Sequence, residues 1–130
     1  MRSIQIKAEL SYEVEFVESW LNGIVQSTID RPAAVIFPSS LKGTMSALPS
    51  SIHRVEVPAG ENQKSLESFG RVLNEIANYG LQRQGLIIGV GGGATTDLAG
   101  YVAASYLRGI DWIAVPTSLA GMVDASIGGK

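Results

Sequence analysis

The stretch GLIIGVGGGATTDLAGYVAASYLRG, residues 85–109, joins an apolar run, three consecutive glycines and a run of small residues. The apolar run over 85–90 is typical of a strand buried in the middle of a parallel sheet. The small residues over 95–107 predict a helix. A strand that passes through a glycine turn into a helix is the unit from which open parallel sheets are built, so this stretch decides the fold class.

The segments on both sides continue the alternation of strands and helices. The further predicted strands are AAVIF (33–37), HRVEV (53–57) and DWIAVP (111–116). The further predicted helices cover residues 19–27, 40–47 and 66–79, and Gly80 is placed to end the last of them. Because short connections join these elements, the chain is predicted to form an α/β fold, with a parallel sheet and helices on both faces.

Two alternating segments at the N-terminus predict a separate element. Ile4 and Ile6 alternate with polar residues, as do Tyr12, Val14 and Phe16. Apolar residues at this period fall on one face of a strand. The two segments are therefore predicted to pair as a β-hairpin ahead of the parallel sheet.

Composition excludes several classes of function. The 130 residues suit one domain, and 17% of them are charged, against about 25% in an average globular chain. A net charge of −2 gives no basic surface for nucleic acid or for an acidic membrane. The absence of cysteine excludes disulfides and thiolate metal sites. With no apolar run long enough to span a membrane and no signal-peptide core, a cytoplasmic protein is expected.

The glycines at 91–93 lie where ligands bind in open parallel sheets, beyond the carboxyl end of a strand. A helix that starts there offers free N–H groups to a phosphate or pyrophosphate. Gly89, Gly91 and Ala94 also fit the pattern G-x-G-x-x-A, but the acid that should close the next strand is missing, since Asp111 opens it instead. The alternative is a turn that only lets the helix pack tightly on the sheet.

Charged residues near the glycines have two interpretations each. Asp97 is either an acid of the first helical turn that stabilises the helix dipole or a carboxylate that reaches a ligand hydroxyl. Lys130, beside two glycines, is either an anion contact or a solvated lysine. Glu61 and Lys64, in a loop, are either ligand contacts or solvated charges. His53, the single histidine, is interpreted as structural because one histidine without cysteine cannot form a zinc site.

Three motifs together resemble the N-terminal domain of the 3-dehydroquinate synthase family. They are PAGENQKS (58–65), GVGGGATTDLAGYVAASYLRG (89–109) and VPTSLAGMVDASIGGK (115–130). The resemblance implies a Rossmann-like, NAD-binding domain of a metal-dependent lyase in the shikimate pathway. That enzyme family converts 3-deoxy-D-arabino-heptulosonate 7-phosphate, a small sugar phosphate, to 3-dehydroquinate and phosphate, on the route to aromatic amino acids. It also implies a homodimer.

The resemblance implies a role for individual residues as well. The implied cofactor contacts are Glu61, Lys64, Gly91, Gly92, Gly93, Asp97, Thr117, Ser118 and Asp124. The implied catalytic residues are Asp124 near the nicotinamide, Lys130 at the substrate, and Arg108, which would reach the substrate phosphate across a dimer interface.

The sequence departs from the family pattern in two places. Pro38 and Ser39 stand where the family often has an aspartate or asparagine that holds the adenine ribose. The family's metal ligands lie in a C-terminal helical domain, so none is expected in this chain and the zinc or cobalt ion belongs to the complete enzyme. Residues 1–130 are thus expected to be a truncated NAD-binding domain, inactive by itself.

Three alternatives stay open. A related sugar-phosphate cyclase, of the valiolone or amino-dehydroquinate type, would share most of these motifs. Glycerol and iron-dependent alcohol dehydrogenases share the architecture, but the motif VDASIGGK (123–130) disfavours them. A nucleotide-binding module without catalysis is the third possibility.

Overall fold

A computed structural model describes residues 2–7, 11–118 and 121–122. The strands are β1 (Arg2–Ile6), β2 (Tyr12–Phe16), β3 (Ala33–Pro38), β4 (His53–Val57), β5 (Leu86–Gly91) and β6 (Asp111–Pro116). The helices are α1 (Trp20–Ser27), α2 (Lys42–Met45), α3 (Leu66–Tyr79) and α4 (Gly93–Ser105), with short 3-10 turns at Ser39–Leu41, Gly60–Gln63 and Tyr106–Arg108. Every strand and helix expected from the sequence is present.

The larger sheet has the strand order β4-β3-β5-β6, and all three neighbouring pairs are parallel. Its register aligns Pro38 with Val57 and Gly91 with Pro116. The carboxyl ends of these four strands therefore meet at one edge of the sheet. The predicted parallel sheet is confirmed, and this edge carries the glycine loop.

Helices cover both faces of the sheet, as predicted. Ala34 and Ile36 pack on one face with residues of α3 and α4, while Val35 and Phe37 pack on the other with residues of α1 and α2. All of them are buried because β3 lies inside the sheet and side chains alternate between its faces.

Glycines let α4 lie unusually close to the sheet. A Cβ atom on Gly89 of β5 would stand 2.4 Å from the Cβ of Ala99, and a Cβ on Gly100 would stand 2.9 Å from the ring of Trp112 on β6. Real Cβ atoms do not approach this closely. The two contacts therefore fix α4 between β5 and β6, and with it the position of its N-terminus.

Helix α4 differs from its prediction at both ends. It was expected over 95–107 and spans Gly93–Ser105. It starts earlier because Gly92 occupies the extended N-cap position and Gly93 is already helical. It stops earlier because Tyr106 is already extended, with ψ of 125°, and Leu107 and Arg108 after it have left-handed backbones, with φ of 49° and 65°.

The hairpin forms a two-stranded antiparallel sheet of its own, with Ile4 opposite Val14. The predicted pairing is confirmed. The apolar face stays open to solvent over much of its area, since Ile4 is 50% and Phe16 55% exposed. None of the helices in the described part of the chain is long and apolar enough to cross a membrane.

Candidate functional site

A groove of about 350 Å³ lies where the carboxyl ends of β3, β5 and β6 meet the turn at Gly60–Gln63. Its lining residues are Pro38, Ser40, Leu41, Ala59, Gly60, Glu61, Gln63, Gly92, Gly93, Ala94, Thr95 and Thr117. The groove thus occupies the edge of the sheet where open α/β folds bind ligands.

Gly91 and Gly92 have different reasons to be glycine. Gly91 has φ of +154°, and a Cβ there would stand 2.6 Å from Thr95 Oγ1, so the fold itself requires glycine. Among the described residues, a Cβ on Gly92 would meet only Ser118 Oγ, at an ordinary 3.6 Å. Packing therefore does not require glycine at position 92. The lack of a side chain there keeps the groove open.

The N-terminus of α4 faces the groove with its donors free. Gly92 is the N-cap residue and offers no side chain to the helix. The first N–H groups that donate along the helix are those of Thr95 and Thr96, both to the Gly92 carbonyl at 3.1 Å. Within the described residues, the N–H groups of Gly92, Gly93 and Ala94 have no acceptor. Three free N–H groups at a helix N-terminus form an anion-binding site.

Lys64 connects the turn at Gly60–Gln63 to α4. Its Nζ lies 2.9 Å from Asp97 Oδ2 and 3.5 Å from Glu61 Oε2. The hydrogen bond to the Asp97 carboxylate raises the pKa of Lys64 above 10.5. Ser65 caps α3, accepting from the Ser68 N–H at 3.1 Å, and thereby fixes where Lys64 leaves the turn.

Asp97 is the fifth residue of α4 and lies outside its first turn, which contains no acid. The interpretation of Asp97 as a first-turn acid is therefore wrong. Its carboxylate instead faces Lys64, and both residues line a second groove of about 260 Å³ together with Leu66, Phe69 and Tyr101.

Thr117 and Ser118, two of the cofactor contacts implied by the resemblance, lie next to the glycine loop. The Thr117 N–H donates to the Gly91 carbonyl at 2.8 Å, and Thr117 lines the main groove. Ser118 Oγ accepts from the Gly121 N–H at 3.1 Å. The first bond holds the segment after β6 against the glycine loop at the end of β5, and the second is internal to that segment.

Of the catalytic residues implied by the resemblance, the structure describes Arg108, which does not lie at this groove. Arg108 is exposed and lies beyond the opposite end of α4, roughly 20 Å from the glycines along the helix axis. Asp124 and Lys130 lie outside the described residues. The site seen here is therefore the candidate cofactor site.

Sequence reasoning missed three polar residues of the groove, the exposed Ser40 and the buried Gln63 and Thr95. Gln63 and Thr95 are each 1% exposed, and Gln63 Oε1 and Thr95 Oγ1 have no hydrogen-bond partner in the part of the chain that the structure describes. A threonine in the first turn after a glycine loop is a signal that was available. For Gln63 no sequence signal distinguishes it from other residues of its loop.

The described residues contain no cluster of three or more histidine, cysteine, aspartate or glutamate side chains that could hold a metal ion. A catalytic metal needs about three protein ligands. The residues described here thus do not fit the metal that the resemblance implies.

The profile of the 3-dehydroquinate synthase N-terminal domain matches residues 54–130. The chain belongs to the 3-dehydroquinate synthase family. A 3-dehydroquinate synthase from Streptomyces avermitilis is 43% identical in an alignment 117 residues long, which covers 85% of this chain and 32% of the relative. The chain thus spans about a third of the length of such family members, and the resemblance found in the three motifs is confirmed.

Solved structures of related cyclases share the fold. The 2-epi-5-epi-valiolone synthase from Streptomyces hygroscopicus subsp. jinggangensis 5008, with NAD⁺ and Zn²⁺ bound, is 23% identical with a TM-score of 0.78, over 96% of this chain and 38% of that one. A 2-deoxy-scyllo-inosose synthase complexed with carbaglucose-6-phosphate, NAD⁺ and Co²⁺ is 27% identical with a TM-score of 0.71, over 90% of this chain and 35% of that one. The predicted fold class is confirmed.

Proposed function

We propose that this chain is the NAD-binding part of a 3-dehydroquinate synthase, which converts 3-deoxy-D-arabino-heptulosonate 7-phosphate to 3-dehydroquinate and phosphate. The observation that carries the proposal is the set of N–H groups on Gly92, Gly93 and Ala94 at the groove, which have no acceptor among the described residues. An NAD pyrophosphate is an anion of the kind such a helix N-terminus stabilises. The NAD⁺ bound by the 2-deoxy-scyllo-inosose synthase of similar fold supports this cofactor.

Bound NAD supplies a hydride acceptor that oxidises the substrate and later returns the hydride. The chain's own residues bind and orient. Gly92 and Gly93 bring the backbone to the pyrophosphate, and Thr117, which lines the same groove, carries a hydroxyl as a further donor. Lys64, held by Asp97 and Glu61, places an ammonium donor beside the cofactor site, and the two carboxylates offset its charge.

The substrate contacts are proposed for Arg108, Asp124 and Lys130. The exposed position of Arg108 at the far end of α4 supports a role at the site of the other subunit in a homodimer, because it is remote from the groove of its own chain. The divalent metal, zinc or cobalt, is proposed to be held outside this chain. Localisation in the cytoplasm and a place in the shikimate pathway follow from the same proposal.

The competing function is that of a different sugar-phosphate cyclase. The likeness to 2-deoxy-scyllo-inosose synthase supports it, at 27% identity. The 43% identity to a 3-dehydroquinate synthase supports the first proposal more strongly. The two differ in substrate, so substrate choice decides between them.

The test assays the complete protein for phosphate release with NAD and cobalt, offering 3-deoxy-D-arabino-heptulosonate 7-phosphate or a hexose 6-phosphate. We expect turnover of the first substrate. In the Gly92→Ala variant, the added methyl group narrows the anion site, so the Kd for NAD should rise about tenfold or more. The cost in stability should be about 1 kcal/mol or less, since the site tolerates a Cβ.

Turnover of the hexose 6-phosphate alone would assign the second cyclase activity. NAD binding without turnover of either substrate would leave a nucleotide-binding module. An unchanged Kd for NAD in Gly92→Ala would remove the glycine loop from the cofactor site.

A further inference from the structure

The turn that joins α4 to β6 has three successive residues with positive φ. Leu107 has φ of 49° and ψ of 37°, Arg108 has φ of 65°, and Gly109 has φ of 110°. Glycine adopts such a backbone freely, whereas leucine and arginine rarely do. Two strained residues side by side cost free energy, and a fold keeps them only where the surrounding structure leaves no alternative.

Buried residues on both sides of the turn supply that constraint. Tyr106 is 8% exposed, and its hydroxyl donates to the Leu81 carbonyl. Ile110 is also 8% exposed, and its N–H donates to the Ala103 carbonyl at 2.9 Å. The Gly109 N–H closes the turn by donating to the Tyr106 carbonyl at 2.8 Å. Because both ends are fixed, the backbone between them has little freedom.

The two strained side chains take little part in packing the chain. Leu107 is 47% exposed, and Arg108 is exposed. The guanidinium groups of Arg31, Arg54 and Arg71 all donate to backbone carbonyls. Within the described part of the chain, by contrast, Arg108 makes no hydrogen bond or ion pair. The strain of the turn is therefore not offset by contacts of Arg108 with the described residues, and its result is a guanidinium held clear of them.

We propose that Leu107 is a positioning residue, whose left-handed backbone fixes the direction in which the Arg108 side chain projects. This inference rests on the proposed function, in which Arg108 binds the substrate phosphate in the other subunit of a homodimer. A guanidinium binds a phosphate best through two parallel N–H groups, so its direction matters as well as its charge. A turn that is fixed beforehand also avoids the ordering entropy that a flexible turn would lose on binding.

Two substitutions at position 107 separate the effect of the backbone from that of the side chain. Leu107→Ile keeps the atoms and the volume of the side chain, but its branched Cβ disfavours the left-handed backbone. In the complete protein, we expect a lower midpoint of thermal unfolding and a KM for 3-deoxy-D-arabino-heptulosonate 7-phosphate about tenfold higher. The Kd for NAD should be unchanged, because the turn and the glycine loop lie at opposite ends of α4.

Leu107→Asn is the matched control, because asparagine tolerates the left-handed backbone better than most residues that carry a side chain. The position is half exposed, so the loss of the apolar side chain should have a small effect on stability. We expect a KM close to that of the wild type and an unfolding midpoint above that of Leu107→Ile. A merely structural role of Leu107 would change the midpoint in Leu107→Ile and leave the KM as it is.

Arg108→Ala separates the positioning role from the proposed contact. A KM raised in Arg108→Ala and Leu107→Ile but not in Leu107→Asn supports the inference. If Arg108→Ala raises the KM while Leu107→Ile does not, the positioning role is wrong and the phosphate contact stands. If Leu107→Asn raises the KM as much as Leu107→Ile, the side chain is responsible and the inference is wrong.

Two further results would contradict the proposed function and this inference with it. If the wild type turns over the substrate and Arg108→Ala leaves the KM unchanged, Arg108 does not bind the phosphate and there is no contact for Leu107 to position. If the wild type does not turn over the substrate at all, the proposed function itself fails.

Discussion

Lys64 is held by carboxylates from two different elements, the turn at Gly60–Gln63 and helix α4. Its Nζ lies closer to Asp97 than to Glu61, and Asp97 is the main cause of its raised pKa. A lysine whose pKa is raised by folding stabilises the fold fully below its unfolded value of 10.5. That stabilisation is lost as the pH rises through the higher folded pKa.

The pH dependence of Lys64→Met tests this arrangement. The difference in unfolding midpoint between wild type and variant should be constant from about pH 7 to about pH 10 and should shrink above that. It should be modest throughout, because the Lys64 side chain is 38% exposed and water screens its charge. A difference that already falls between about pH 7 and about pH 9 would contradict a raised pKa.

The sequence predicted the glycines of the site better than its side-chain contacts. Glycine at 91–93 signals a special backbone by itself, whatever the rest of the chain does. The partner of Asp97 depends on how α4 meets the turn before α3, and the burial of Gln63 depends on the same contact. Neither could be predicted, because a local pattern carries no information on packing between elements.

At the scale of elements, the close approach of α4 to β5 decides the geometry of the site. Gly89 and Ala99 meet where larger side chains would separate helix and strand. Displacing α4 would move its free N–H groups away from the groove. The size of the side chains at positions 89 and 99 therefore controls where the N–H groups of the anion site lie, although neither side chain contacts the ligand.

Exchanging the side-chain sizes of residues 89 and 99 tests whether their contact positions α4. Gly89→Ala should lower stability by about 1–3 kcal/mol and weaken NAD binding, because the added methyl group overlaps Ala99. Adding Ala99→Gly to that variant should restore most of the binding, since the total volume at the contact is then conserved. Ala99→Gly alone serves as control. If the double variant is no better than Gly89→Ala, direct contact between the two positions is not the cause.

The boundaries of α4 could be predicted only in part. Small residues without turn signals indicated a helix, and the strands around it were clear from their apolar runs. The helix end was missed because Leu107 and Arg108 adopt left-handed backbones that leucine and arginine rarely favour. The start of α4 at Gly93 was not predicted, because glycine indicates a turn more often than a first helical residue.

Over the whole molecule, burial divides the described chain into a four-stranded core and an exposed hairpin. Ile88 in β5 is fully buried, whereas Ile4 in β1 is half exposed. The hairpin pairs with itself and adds no strand to the larger sheet. Its strands should therefore open independently of the core.

Amide hydrogen exchange on the complete protein can measure this division. Ile88→Ala should lower the opening free energy of β5 and α4 by about 2–5 kcal/mol, because it leaves a cavity between the sheet and its helices. Ile4→Ala, the matched change in the hairpin, should alter protection in β5 by less than about 1 kcal/mol. Equal effects of the two variants on β5 would show that hairpin and core unfold together.

The clamping of α4 between Gly89 on β5 and Trp112 on β6 has a kinetic consequence. The donors at the start of the helix are in place before a ligand arrives, so little ordering entropy is lost in the encounter. Association then depends on diffusion and orientation and needs no slow rearrangement of the loop. Ligands with different affinities for this groove should consequently differ chiefly in their dissociation rates and little in their association rates.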